Sequence, residues 1–343
     1  MASHGLKDII IQRRKNFPTK DFLEQYGAQL ELELKTPPES LRTLISEPDI
    51  HRPGLAFAGF TDVFARQSIQ MVGTTEWSYL ESIGPVRRKE VFDRLKGFEC
   101  PLWVLCHGLL PHPELLEMCQ QQNVPLVVTR KNTAEFVRGV NRELEGWFSP
   151  FVIVHASLVD VYGVGMLYIG ASNIGKSECV LDLVERGHRL VADDSVKLVR
   201  LGNSIVGHCD SIINHHMEIR GVGIIDVRSM FGIHAVRKVK KVEIIVELKL
   251  HQESETYDRT GLASQYEDIM GVKIPSVVIP VLPGKNITVI SEVIAMNTLM
   301  KQAGVDTAAE FNKSLMKAIE EKMARGKDED NIFWYRQISG FYE

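Results

Sequence analysis

No apolar run in the sequence approaches the roughly 20 residues that span a bilayer, so a membrane-crossing helix is not expected. The N-terminus carries three consecutive Ile but neither a long apolar region nor a small-residue cleavage site, so secretion is not expected. Cysteine is sparse: five thiols, at 100, 106, 119, 179 and 209, an odd number without a CxxC pair. That argues against a disulfide framework and a four-thiolate zinc site, and leaves reduced, mostly buried thiols. His208, Cys209, His215 and His216 have ligand chemistry but no recognised zinc spacing, and read as ordinary core or surface residues. An excess of one charge is also missing. Lys and Arg total 40 against 44 Asp and Glu, a net charge of −4, divided as 18 basic and 19 acidic in the first 150 residues. Neither half has the basic excess that nucleic acid requires. The short run Arg237-Lys-Val-Lys-Lys241 reads as a solvated strand edge or a partner contact. The expectation is a soluble, cytoplasmic protein that binds no nucleic acid and no membrane.

What is present is the composition of a globular protein, with 44% apolar and 24% charged residues over a length of 343. That length suits about two domains. In residues 54–128, Gly54–Phe60, Leu102–Cys106 and Leu126–Thr129 read as strands, and Arg87–Gly97 and Glu114–Gln122 have helical spacing. Strands alternating with helices imply βαβ units and a parallel sheet. The segment from Glu145 to Pro150 is expected to break the helical pattern of 132–144, placing the boundary between domains 1–148 and 149–343 there. Two strand runs follow, Phe151–Tyr162 and Val164–Ile169, joined in hairpin fashion at Tyr162-Gly163-Val164-Gly165. Val242–Leu250, Ile274–Val281 and Ile287–Ile294 are further strand candidates, and Ala308–Ala324 is an amphipathic helix. The aromatic tail, Phe333 to Tyr342, is expected to pack against an unidentified surface.

The strongest chemical signal is Gly170-Ala171-Ser172-Asn173-Ile174-Gly175-Lys176-Ser177, which fits G-x-x-x-x-G-K-[ST] without a gap. A strand before it and a helix over Lys176–Arg186, ended by Gly187, supply the context that the motif needs. Gly170 and Gly175 let the backbone turn its N–H groups toward phosphate oxygens at a helix N-terminus. Lys176 places a point charge on the β- and γ-phosphates, and Ser177 offers a hydroxyl to Mg²⁺. The next strand, Arg189–Ala192, runs into Asp193-Asp194. Adjacent carboxylates on an extended chain point in opposite directions. One can then serve a metal while the other accepts a proton from an incoming hydroxyl.

These residues resemble the HPr kinase/phosphorylase family over most of the chain. The resemblance is carried by His155-Ala-Ser-Leu-Val-Asp-Val-Tyr-Gly-Val-Gly, by 175–196 (GKSECVLDLVERGHRLVADDSV) and by Glu218-Ile-Arg-Gly-Val-Gly-Ile-Ile-Asp-Val227. Tyr257-Asp-Arg259-Thr-Gly, Pro280–Asn286 and Glu292–Asn297 continue it, as do 51–60 and 69–80 in the first half. The resemblance implies an α/β protein with an N-terminal α/β assembly or regulatory domain. Its C-terminal P-loop kinase domain would resemble phosphoenolpyruvate carboxykinase. The implied activity is phosphorylation of a serine on the phosphocarrier protein HPr, with phosphorolysis by inorganic phosphate, releasing pyrophosphate, as the reverse function. Asp194 would exchange the serine proton, with His155, Lys176 and Arg259 completing the catalytic set. Ser177 and Glu218 would bind Mg²⁺, and Asp193 is the remaining acidic candidate for the metal. ATP, with pyrophosphate as an alternative donor, would be the phosphoryl source, and the assembly a homohexamer.

The sequence also departs from the family. Asn173 stands where the P-loop usually has Gly, and Asn tolerates left-handed backbone. Leu282 and Lys285 replace residues that are usually Arg in a segment associated with dephosphorylation. Lys lacks the bidentate fork and Leu lacks charge, so phosphorolysis is expected to be the weaker direction. A P-loop kinase of a small metabolite and a non-catalytic nucleotide-binding regulator are the rival readings.

Overall fold

The computed structural model describes residue 6 and residues 9–210, 215–251, 265–282 and 284–325. These divide into two compact units, Ile11–Phe151 and Val152–Glu343, the second joined by Met1–Ile10.

In the first unit the short strands β1 (Phe17–Pro18) and β3 (Leu44–Ile45) pair with each other. The main sheet has the order β2-β7-β6-β5-β4, comprising β2 (Leu32–Leu34), β4 (Ile50–His51), β5 (Ile69–Val72), β6 (Trp103–Leu105) and β7 (Leu126–Thr129). Strands β4 to β7 run parallel and β2 closes the edge antiparallel. The helices are α1 (Thr19–Tyr26), α2 (Gly54–Phe57), α3 (Thr74–Leu95), α4 (Pro113–Gln121) and α5 (Thr133–Phe148). Strand β6 explains why such runs look continuously apolar. Trp103 and Leu105 enter one core, whereas Leu102, Val104 and Cys106 enter the other, so the sheet is covered on both faces.

Two expectations are corrected here. Residues 54–60 form no strand: Pro53 leads into α2, and Ala56 and Phe57 bury themselves as a helical turn. The strand of this region is β5, where all four residues are buried. The helix expected to stop near Glu145 continues as α5 to Phe148, with Ser149 N–H still bonded to Glu145 O. Thus Gly146 does not break it; a lone Gly in a helix is a cost on the order of 1 kcal/mol, which tertiary packing readily outweighs.

The second unit begins with β8 (Phe151–His155), β9 (Ser157–Val161), β10 (Val164–Gly170), α6 (Lys176–Glu185) and β11 (Arg189–Ala192). It continues through β12 (Ser195–Leu201), β13 (Ser204–Cys209), β14 (His216–Ile219), β15 (Gly223–Asp226), α7 (Val227–Phe231) and β16 (Val239–Lys241). Then come β17 (Ile244–Leu250), β18 (Gln265–Ile269), β19 (Val272–Val281), α8 (Ile287–Gln302) and α9 (Thr307–Arg325). One sheet has the order β11-β9-β10-β17-β19-β18, a second the order β16-β13-β12-β8, and β14 and β15 form a ribbon. At the centre of the first sheet β10, β17 and β19 are parallel, so Gly170, Leu250 and Val281 end on the same edge. Alternation again covers both faces: Met166 and Tyr168 pack under α6, Leu167 and Ile169 against the second sheet.

The run expected as a single strand from 151 to 162 is two strands in different sheets, stepping across at Ala156. Residues 287–294 form the start of α8 rather than a strand. β-Branched residues suggested a strand, but the Asn286 side chain accepts from Val289 N–H at 3.0 Å. Thr288, Ser291, Glu292 and Ala295 then bury one helical face. The basic run 237–241 ends in β16, at the edge of its sheet, where Arg237 meets Asp160 at 2.7 Å. Cys100, Cys106, Cys119 and Cys179 are buried free thiols, and burial pushes Cys100, Cys106 and Cys179 up to about 12. His208 turns its Nδ1 to the Cys209 carbonyl at 2.8 Å. The aromatic tail lies outside the described residues. No helix among the described residues is long and apolar enough to cross a membrane.

Candidate active site

The 170–177 loop leaves the buried strand β10 and enters α6, and its backbone is held where glycine is required. Gly170 has φ +148, and a Cβ there would lie 2.5 Å from the carbonyl oxygen of Leu248 on the neighbouring strand. Gly175, the residue before α6, has φ +98, and no side chain caps the helix. Asn173 takes φ 72, the left-handed conformation that glycine would otherwise supply. Uncapped N–H groups at a helix start are an anion receptor.

Lys176 opens α6 with its side chain folded inward. Its ammonium donates to Gly170 O and Ala171 O, each at 3.2 Å, and meets His155 Nε2 at 3.2 Å. Burial pushes its pKa down, while the charges of Asp193, Asp194 and Glu178 pull the other way. Because a lysine ammonium only donates, His155 Nε2 is the acceptor and the imidazole carries its proton on Nδ1. That nitrogen lies 2.8 Å from Asp194 Oδ1 and 3.1 Å from Asp194 O. The hydrogen bonds therefore run one way, from Lys176 through His155 to Asp194.

The pair Asp193-Asp194 divides, but not by strand alternation. The chain steps between sheets twice, at Ala156 and at 193–194, and the two steps are adjacent: β11 pairs with β9, and Ala156 N–H bonds to Asp194 O at 3.3 Å. Asp194 makes its step with φ +65. This leaves its side chain exposed, while Asp193 turns inward. The Ser157 hydroxyl donates to Asp193 Oδ1 at 2.5 Å. Burial pushes the Asp193 carboxyl up, against hydrogen bonds from the hydroxyls of Ser157 and Ser177. Ser157 was missed in the sequence, because a serine in an apolar strand signals nothing until its carboxylate partner, 36 residues on, is placed beside it.

The residues brought together are thus His155, Lys176, Ser177, Asp193 and Asp194, around the loop of 170–175. Glu218 stands exposed on the β14–β15 ribbon, opposite Ile224, with no hydrogen bond or ion pair to those residues among the described ones. Arg259 lies outside the described residues. Leu282 is exposed and accepts from Lys285 N–H at 3.1 Å. No trio of His, Cys, Asp and Glu converges as a metal cage among the described residues. The Ser177 hydroxyl beside the Asp193 carboxylate is nonetheless an all-oxygen donor pair of the kind a hard divalent cation takes with phosphate oxygens. The residues present fit such an ion.

The chain is similar to known proteins over most of its length. Residues 18–144 match the family model described as HPr Serine kinase N terminus, and residues 147–315 match the HPr Serine kinase C-terminal domain. The chain is 43% identical to the HPr kinase/phosphorylase of Chloroherpeton thalassium, over 90% of this chain and 91% of the relative. It is 39% identical to that of Alkaliphilus metalliredigens, over 88% and 97%. The solved Hpr(Ser) kinase/phosphatase from Coxiella burnetii aligns at 35% identity and a TM-score of 0.42, covering 46% of this chain and 97% of that one.

Proposed function

The chain belongs to the HPr serine kinase family, and from that membership we propose how its residues carry out phosphorylation and dephosphorylation of HPr. It is an enzyme that acts on HPr with a nucleotide and a metal ion. In the forward direction the phosphates of ATP lie along the N–H groups of 170–175 and the start of α6, with Lys176 on the β- and γ-phosphates. The serine hydroxyl of HPr attacks the γ-phosphorus, and the bond to the β-γ bridging oxygen breaks. The hydroxyl proton passes to the Asp194 carboxylate, and ADP leaves. His155 acts as a positioning residue: its Nδ1–H holds Asp194 Oδ1 at 2.8 Å, and its Nε2 is held by Lys176. Ser177 and Asp193, with Glu218, would hold Mg²⁺, which supplies neutralisation of phosphate charge when bound. Arg259 completes the positive charge. In reverse, inorganic phosphate attacks the phosphoserine phosphorus, the bond from phosphorus to the serine oxygen breaks, protonated Asp194 returns its proton to that oxygen, and serine and pyrophosphate are the products. One carboxylate serves both directions by microscopic reversibility. Pyrophosphate can therefore replace ATP as donor through the same contacts.

The observation that carries this reading is the directed chain Lys176–His155–Asp194 at the mouth of the loop, ending in an exposed carboxylate. We assign the first unit to assembly or regulation, with the whole chain forming a homohexamer in the cytoplasm. Phosphorolysis is the weaker direction, since Leu282 and Lys285 supply neither a guanidinium nor, at 282, any charge. The test is ATP consumption by the full chain with and without HPr, followed by addition of phosphate to the seryl-phosphorylated product. Asp194→Ala is expected to cut turnover by about 10²–10⁴-fold with nucleotide affinity kept. Loss of nucleotide affinity in parallel would make Asp194 a metal ligand instead. Efficient phosphate-dependent release of pyrophosphate would overturn the predicted asymmetry.

A further inference from the structure

Beside the phosphate loop lies a cleft of about 410 Å³, between the first two turns of α6 and the start of α8. Its size falls within the range of small-molecule sites, and none of the residues so far given a catalytic role lines it. Ile174 and Gly175, the end of the loop itself, form one wall, and Ile287 faces them from α8. Glu178 and Asp182, four residues apart on one face of α6, bring two carboxylates into it, and Lys285 brings one ammonium.

These charged groups are not equivalent. Asp182 already accepts the Thr288 hydroxyl, which ties α6 to α8. Glu178 has no hydrogen bond or ion pair among the described residues, and its Oε2 lies 4.0 Å from where a Cβ on Gly175 would be. A carboxylate with no hydrogen-bond or ion-pair partner among the described residues is thus held one residue beyond Ser177, at the edge of the phosphate loop. Two carboxylates against one ammonium disfavour a second phosphate group. They favour a neutral group with hydroxyl donors, and a carboxylate beside a phosphate loop is suited to accept from sugar hydroxyls. The apolar wall of Ile174 and Ile287 suits the flat face of a base.

We propose that this cleft is the nucleoside subsite of the enzyme, with Glu178 accepting hydrogen bonds from the ribose hydroxyls and Ile174 and Ile287 lining the base. The inference rests on the reading of 170–177 as the nucleotide phosphate site. It separates the two phosphoryl donors: ATP uses the cleft and the loop, whereas a donor without a nucleoside uses the loop alone.

The experiment is equilibrium binding to the full chain, in magnesium buffer, of ATP, 2′,3′-dideoxy-ATP and inorganic tripolyphosphate, for the parent and for Glu178→Ala. The parent is expected to bind ATP about tenfold more tightly than the dideoxy analogue, the worth of a hydrogen bond to a charged acceptor. Glu178→Ala is expected to erase that preference and to lower the ATP-to-tripolyphosphate affinity ratio about tenfold. Tripolyphosphate binding reports directly that the variant's loop is intact, and the dideoxy comparison in the parent needs no variant. A preference for ATP over the dideoxy analogue that survives in Glu178→Ala, or an unchanged ratio, would overturn the subsite. If the parent binds tripolyphosphate as tightly as ATP, the subsite falls and the phosphate loop stands. If it binds neither, the nucleotide reading itself falls, and the subsite with it.

Discussion

Both units contain a buried parallel strand that runs through a glycine into a helix, and they use the same helix-start physics in opposite ways. In the first unit Val72 ends β5, Gly73 follows, and α3 begins at once. The carboxylate of Glu76 turns back to accept from Gly73 N–H at 3.1 Å and is held by Arg52 at 2.8 Å. The anion that a helix N-terminus attracts is therefore part of the chain itself. In the second unit five residues separate Gly170 from Lys176, three of the loop positions have positive φ, and no side chain caps α6. That start is left open to a foreign anion. The strand-to-helix turn is common to both; the difference is whether the protein satisfies its own N–H groups.

The open helix start is most sensitive at Gly170. Its φ of +148 and the 2.5 Å approach to Leu248 O leave no room for a methyl group, and strain of this kind is worth about 1–3 kcal/mol. Gly170→Ala is therefore expected to weaken binding of ATP and tripolyphosphate alike by about 10–100-fold, read by titration calorimetry. Unchanged affinity would show that the loop does not need this backbone.

The self-capped start is tested at Glu76. Burial alone would raise its carboxyl, but bonds from Arg52, its own backbone and Gly73 outweigh this and hold it below the ordinary value. A carboxylate lowered in the folded state contributes stability above its unfolded value of 4.5, and that contribution is lost as pH falls through the folded value. Glu76→Gln should cost about 1–2 kcal/mol at neutral pH, a figure kept small because Arg52 is half exposed. The gap to the parent should close on acidification below the unfolded value. Urea unfolding followed by tryptophan fluorescence reads this unit well, since Trp77, Trp103 and Trp147 lie in it and only Trp334 lies elsewhere. A gap that is constant with pH would show that the carboxylate charge plays no part.

The smallest effect is expected at Gly146, exposed within α5 with open space where a Cβ would stand. Gly146→Ala should stabilise the first unit by about 0.5–1 kcal/mol, the opposite sign to the same substitution at 170. Destabilisation there would mean that the Gly146 position is covered in the assembled protein.

Features whose physics is local are legible along the chain. Gly170–Ser177 announced its own turn, strand β10 and helix α6 flanked it as the motif demands, and Gly187 closed the helix with φ +95. Buried parallel strands such as β7 were legible because both of their faces are covered and the run is apolar throughout. Local reading failed where local preferences conflict with packing. The β-branched start of α8 looked like a strand until the Asn286 cap and the buried face were seen, and α2 looked like a strand because a glycine and three apolar residues have too little length to declare a period. Which of the two carboxylates is buried and which is exposed follows only from tertiary pairing. Asp193 and Asp194 are chemically identical neighbours, and strand alternation would only have pointed them apart. It is the passage of two adjacent chain segments from one sheet to the other that turns Asp193 onto Ser157 and Ser177 and leaves Asp194 exposed beside His155. Such a step depends on pairing between residues nearly 40 positions apart, and no window along the chain contains it.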